Sequence, residues 1–295
     1  MMKLRLSLRN SARASLNLFL IAFLLCGCTS STSPSFQKKN ISSSIRRICK
    51  DEYKLDVKAR LIGKTLWVYI PLENIVTKAE KPEKFIERFQ VTENKATLTD
   101  SQLSIEYLVK SIPEKEQMQS VTIDKSAGEK MYQVRNVIRR VLFSMQKSNG
   151  EEPLFICMIT ADTKYGFAIK ELSYFQDLKK ISYSLMSVTE YQHRVIQDTI
   201  ISQDFIENKT GRGIDYKNIT MKDFITGQIE YRIKLKFQKP EVDYKADTDK
   251  EVLKIASYTV KAYDFKDFSE LEFRNLLTKN TVILNRVAIW DKPTE

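Results

Sequence analysis

Leu154-Phe155-Ile156-Cys157-Met158-Ile159-Thr160-Ala161 is a run in which Thr160 alone carries a polar side chain. Its branched and aromatic content fits a strand covered on both faces better than a helix, which normally runs to about ten residues or more. In such a strand Cys157 acts as a small hydrophobe. Asp162-Thr163-Lys164-Tyr165-Gly166 follows as a turn, and Phe167 to Ile169 returns as a second short strand. Upstream, Met131, Val134, Ile138, Val141, Leu142 and Met145 mark one face of a helix that Asn149-Gly150 ends.

The same order of elements occurs earlier in the chain. A helix opening near Ser44 carries Ile45, Ile48, Cys49 and Tyr53 at helical spacing; Leu55, Val57, Ala59 and Leu61 then alternate with polar neighbours. Gly63-Lys64 makes a turn, and Leu66 to Ile70 returns before Pro71. Two helix-plus-hairpin units are therefore predicted to share one sheet. Between them, residues 73–128 are polar, include KAEKPEK at 78–84 and the strand-like Leu103 to Ile112, and read as an insertion. After residue 170 helices are expected over Glu171 to Tyr183 and from Ser187-Val188-Thr189-Glu190, which fits a capping box. A further region, 208–295, follows the first, 41–207. In it Ile229, Tyr231, Ile233, Leu235 and Phe237 alternate with Glu230, Arg232, Lys234 and Lys236 as in a half-wet strand. A second strand over Leu253 to Ala262, a helix over Phe268 to Leu277 and a strand over Val282 to Trp290 complete a ββαβ reading. The predicted fold class is α+β, with mixed or antiparallel sheets and packed helices.

At the N-terminus, Leu25-Cys26-Gly27-Cys28 closes the apolar run Leu16 to Leu25 behind Lys3, Arg5, Arg9 and Arg13. A membrane span needs about 20 apolar residues, so a run of roughly half that length is a signal-peptide core. The closing tetrapeptide resembles the lipobox of bacterial lipoproteins. The resemblance implies that residues 1–27 are a signal peptide cleaved between Gly27 and Cys28. It also implies that Cys28 carries a diacylglyceryl group on sulfur and an acylated amino group, making the membrane a partner through this anchor. Several acyl chains on one residue hold a protein lastingly where a single chain does not. Thr29, where an Asp would signal inner-membrane retention, implies delivery to the outer membrane, facing the periplasm. Residues 28–40 have the composition of a flexible tether. Lys38-Lys39 and Arg46-Arg47 either meet anionic headgroups or form a solvated basic face.

Removal of residues 1–27 takes away four basic residues and lowers the net charge from +11 to +7. Lys and Glu are mixed along the remainder, so nucleic acid is not an expected partner. The single histidine, His193, stands in Tyr191-Gln192-His193-Arg194 without a G-x-S-x-G elbow, and one histidine with two separated cysteines supplies no usual metal-ligand pair. No catalytic residue, metal or cofactor is assigned. Asp162, with Thr163 and Tyr165, is the candidate for carboxylate chemistry; the competing reading is an Asp whose oxygens organise a turn. Gly211-Arg212-Gly213 lacks phosphate-loop spacing and reads as a loop, while Arg135, Arg139 and Arg140 read as helix decoration. Cys49 and Cys157 remain in the mature chain. An oxidising compartment allows a disulfide between them, whereas burial of the Cys157 strand favours free thiols. The expected function is a noncatalytic envelope lipoprotein that binds or scaffolds an envelope protein or cell-wall component, with a sheet edge as docking surface. The alternatives are an envelope hydrolase using acidic residues on glycan or peptidoglycan, and a lipid or small-ligand carrier.

Overall fold

The computed structural model describes residues 36–145, 152–238, 242 and 246–290. Gly27, Cys28 and the rest of the lipobox lie outside the described residues, as does Asn149-Gly150. In chain order the elements are α1 (Ile41–Tyr53), β1 (Lys58–Ile62), β2 (Thr65–Leu72), β3 (Val76–Thr99), β4 (Gln102–Ile123) and α2 (Lys125–Phe143). They continue as β5 (Phe155–Asp162), β6 (Phe167–Tyr174), α3 (Phe175–Ser182), α4 (Val188–Arg194), β7 (Ile196–Ile201), α5 (Met221–Gln238) and α6 (Thr248–Ala262). The chain closes with β8 (Glu270–Asn275), β9 (Asn280–Asn285) and α7 (Arg286–Trp290).

The first sheet has the order β1-β2-β5-β6-β7, with β2 and β5 parallel and every other neighbour antiparallel. The two helix-plus-hairpin units share this sheet, as expected. Helices α1 and α2 cover one face, where Ile45, Cys49, Val134 and Ile138 pack against Leu66, Val68, Ile156 and Met158. The opposite face is covered by the segment leading into α5 and by the start of that helix; their Phe205, Ile219 and Phe224 lie on Trp67, Tyr69, Cys157 and Ile159. Two covered faces explain why β5 is buried along its whole length and reads as an unbroken apolar run. Asp124 starts α2 by accepting the Ala127 N–H at 3.0 Å.

A second sheet, β3-β4-β8-β9, is built on a hairpin whose strands are 24 and 22 residues long. The half nearest the turn carries buried Ala96, Leu98, Leu103, Ile105, Tyr107 and Val109; these pack with Leu271 and Phe273 of β8 and with Ile225, Ile229, Ile233, Val252 and Ala256 of α5 and α6. The half nearest the first sheet is an exposed ribbon crossed by the ion pairs Lys84–Glu116 and Arg88–Glu114. Register shifts between Lys78 and Glu83, Glu87 and Phe89, and Val91 and Glu93 bend it.

The α+β class holds, and several local expectations are corrected. Residues 73–128 leave the first sheet between β2 and β5, supply half of the second sheet and share its core with residues from 225 onward, so the boundary expected at 208 runs through one core. Ile229 to Phe237 and Leu253 to Ala262, read as strands, are helical, and Phe268 to Leu277, read as a helix, contains β8. Val282 to Trp290 is strand only to Asn285 and then turns into α7. Glu171 to Tyr174 extends β6, so the helix expected from Glu171 starts at Phe175. The tether expected over 28–40 is folded from residue 36. The Phe36 N–H donates to the Ser144 carbonyl at 3.2 Å beside a bridge to Met145, and Lys38–Asn40 form a 3-10 turn.

Candidate functional site

Asp162 ends β5 and is fully buried. Its Oδ1 accepts the N–H groups of Lys164 and Tyr165, each at 2.9 Å, and its Oδ2 accepts the Ile75 N–H at 2.8 Å. Thr163, also buried, donates from both its hydroxyl and its backbone N–H to the Leu72 carbonyl. Tyr165 points outward under the Lys164 ammonium, 5.1 Å from the ring centroid. This trio ties the turn after β5 to the place where the long hairpin leaves the first sheet. A carboxylate sealed from solvent and committed to three amides meets no substrate, so the carboxylate chemistry considered for Asp162 gives way to the turn role.

The cysteines and arginines are placed with equal clarity. Cys49 lies in the helix-side core and Cys157 in the core on the other face of the sheet, so the disulfide considered between them does not form and both thiols are free. Burial pushes the thiol of Cys49 up to about 11 and that of Cys157 up to about 12, which keeps both protonated and unreactive. Arg139 donates to Asn136 at 3.3 Å on its own helix, as decoration does, whereas Arg135 donates to both oxygens of the buried Glu171 on β6 at 2.7 Å and Arg140 to Glu52 on α1 at 2.6 Å, so these two pair across elements. Gly211 and Gly213 are indeed in a loop; Gly211 has φ +69°, and a Cβ there would stand 2.4 Å from the Tyr216 hydroxyl. Among the described residues no three His, Cys, Asp or Glu side chains are grouped to hold a metal ion, and no helix is long and apolar enough to cross a membrane.

Two polar assemblies were not legible in the sequence. The first joins α3 and α4 to α5 and α6. Asp177 accepts from Arg194 Nη1 at 3.1 Å and from the Tyr263 hydroxyl at 3.0 Å. Arg194 Nε and the Tyr258 hydroxyl both donate to Glu190 Oε1, and Gln228 Nε2 donates to the Arg194 carbonyl. Burial pushes the Asp177 carboxyl up against the opposing pull of Arg194 and Tyr263. Burial also raises Glu190, but hydrogen bonds from Arg194 and Tyr258 outweigh it and leave that carboxyl low. Ser187 does cap α4 through the Glu190 N–H at 3.1 Å, while the Glu190 carboxylate turns to Arg194 and Tyr258. His193, on α4, is half-buried.

The second assembly is a cleft of about 450 Å³ between β3, β7 and α5, lined by Glu87, Asn94, Asp198, Glu230, Tyr231 and Lys234 among others. Glu230 Oε1 accepts the Ala96 N–H at 2.7 Å, and the Glu230 carbonyl accepts Asn94 Nδ2 at 2.6 Å. Asn94 Oδ1 is buried without a hydrogen-bond partner. Burial pushes the Glu230 carboxyl up, opposed by the Ala96 amide and Lys95. A carboxyl raised by folding contributes its stability below the ordinary carboxylate range and loses it as pH rises through the raised value. Glu230→Gln keeps an oxygen for the Ala96 N–H but removes the buried charge. Its melting temperature is expected to exceed that of the wild type at pH 7, with the gap closing toward about pH 4. Equal gaps at both pH values would show that charge is not the cause.

Four strands form the sheet edges. β1 presents Lys58 and Arg60, β7 presents Asp198, and β3 carries many charges and Pro82. β9, Asn280-Thr281-Val282-Ile283-Leu284-Asn285, carries neither a charge nor a proline, and its Ile283 is 56% exposed. No protein-family model, curated protein or solved structure matches the chain.

Proposed function

We propose that this chain is a noncatalytic, lipid-anchored protein of the bacterial envelope that docks an extended segment of another envelope protein along β9. The anchor part rests on the lipobox resemblance at residues 25–28 and the acylation of Cys28 that it implies. The docking part is carried by one observation: of the four edges, β9 alone lacks the charges, prolines and bulges by which sheets block pairing with a foreign strand. As the outer strand of its sheet it offers backbone groups to an added strand, and the exposed Ile283 and Val282 supply apolar side-chain contacts. Photocrosslinkers placed at Thr281 and Ile283 in intact cells are expected to yield an adduct with another envelope protein, and one at Arg60 on β1 none. Adducts with a second copy of this chain alone, or equal adducts from β1, would sink the docking reading. Labelling with a clickable palmitate analogue is expected in the wild type and absent in Cys28→Ser; label in both would remove the anchor.

One observation favours a second reading, an envelope hydrolase acting on glycan. Glu87, Asp198 and Glu230 line one cleft, and burial raises the Glu230 carboxyl above its ordinary value. Hydrolysis of purified peptidoglycan by the wild type, lost in both Asp198→Asn and Glu230→Gln, would establish it in place of the noncatalytic reading.

A further inference from the structure

We infer that the loop joining α3 to α4, Tyr183-Ser184-Leu185-Met186-Ser187, together with Val188 at the start of α4, is a membrane-contacting element that enters the headgroup region of a phospholipid bilayer beside the anchor. The inference deepens the lipid-anchor reading and rests on it. Tyr183 is 67% exposed, Leu185 76% and Val188 63%, so three large apolar side chains project from one short connection. The loop is fastened at both ends. The Leu185 N–H closes on the Lys180 carbonyl at 2.8 Å, and Ser187 caps α4 through the Glu190 N–H. Its side chains therefore face outward because the backbone holds them there.

Position supplies the occupant. The Tyr183 ring lies 6.0 Å from that of Phe143, whose own ring lies 5.9 Å from Phe175. Phe143 is followed by Ser144, whose carbonyl accepts the Phe36 N–H, so the N-terminal segment joins the folded body within about one side chain of this loop. Only the seven residues Thr29 to Ser35 stand between Phe36 and Cys28. Whatever conformation they take, their contour is no more than about 30 Å. A body tethered this closely presents to the bilayer the end that carries Phe36. Lys38 and Lys39 follow Phe36 after Gln37, and the half-exposed Lys180 precedes the loop; these cations suit anionic headgroups while the tyrosine suits the interface itself. A protein partner would meet the same loop only by fitting into this short gap.

Full-length lipidated protein, reconstituted in vesicles of phosphatidylethanolamine and phosphatidylglycerol, tests the inference. Because Cys49 and Cys157 are buried, an environment-sensitive fluorophore can be attached at Leu185→Cys and, as a control, at Ile283→Cys. The label at 185 is expected to shift to the blue and to be quenched by headgroup-nitroxide lipid, and the label at 283 to do neither; unchanged melting curves confirm that both variants fold. Flotation of the wild type but not of Cys28→Ser reports separately on the anchor. A floating protein whose 185 label stays in water overturns the loop inference and leaves the anchor standing. A protein that does not float overturns both. A blue shift at 185 in vesicle-free protein assigns the loop to a second copy of the chain and likewise overturns it.

Discussion

Asp162→Ala is expected to lower unfolding free energy by about 3–5 kcal/mol, because it strips acceptors from three amides at a cost of roughly 1–3 kcal/mol for each buried donor left unpaired. Those amides belong to Ile75, Lys164 and Tyr165, so the loss falls on both the turn after β5 and the root of the long hairpin. Asp162→Asn should cost less. Its remaining oxygen can still accept from Lys164 and Tyr165, but its NH₂ group then opposes the Ile75 N–H. Urea denaturation measures the totals, and hydrogen exchange at Ile75 should quicken in both variants. A loss below about 1 kcal/mol for the alanine variant would show that water readily replaces the carboxylate, and with it that the turn is open to solvent.

Arg194→Ala is the other large effect, expected at about 3–5 kcal/mol, the usual consequence of removing one member of a buried ion pair. Asp177 has a side chain only 1% exposed, and without Arg194 it keeps just the Tyr263 hydroxyl and a Lys180 ammonium 3.9 Å away. The arginine also bonds Glu190 and lies over the Tyr263 ring, 5.3 Å from its centroid. Lysine cannot meet both carboxylates from one planar fork, so Arg194→Lys should recover only part of the loss. Since α3 and α4 belong to the first sheet's side of the network and α5 and α6 to the second's, the alanine variant should also broaden the transition. Tryptophan fluorescence and far-ultraviolet dichroism would then cease to coincide. A sharp, coincident and nearly unshifted transition would show that the two halves are held by apolar contacts alone.

The first sheet was largely readable because its signals are local. β2 and β5 are continuous apolar runs, and α2 shows its stripe in Met131, Val134, Ile138 and Val141. The second half was misread for reasons that can be traced to residues. In α5 the buried set Ile225, Ile229, Ile233 and Phe237 recurs every four residues, a spacing that suits a helical stripe and an alternating strand alike. Tyr231 and Leu235, half-buried, filled the remaining odd positions and tipped the pattern toward a strand. In α6 the branched and aromatic Ile255, Tyr258, Thr259 and Val260 spoke for a strand. Yet Val252, Ala256, Thr259 and Val260 are buried at helical spacing, and Asp247 caps the helix by accepting the Asp249 and Lys250 N–H groups. β8 was hidden by the opposite error, since its alternating Leu271, Phe273 and Asn275 is short and is followed by Leu276 and Leu277.

The cleft had no local trace. Asn94 and Glu230 lie 136 residues apart, and Glu230 looked like a solvated charge on a strand's wet face. The same is true of Asp177 and Tyr263, 86 residues apart, which meet only where the C-terminal end of α6 reaches α3. From the amino-acid order alone came the α+β class, the shared first sheet, the turn after β5 and the N-terminal motif at residues 25–28. Apart from the pairing of β2 with β5 that joins the two units, each of these depends on neighbours within about a dozen positions, where covalent geometry and burial periodicity act directly. The tertiary structure alone decided the pairing of residues 76–123 with the C-terminal strands, the buried Asp177–Arg194 network and the unguarded β9 edge. Those depend on which distant segments cover each face, and a side chain's neighbourhood, not its type, determines whether a charge is solvated, paired or sealed.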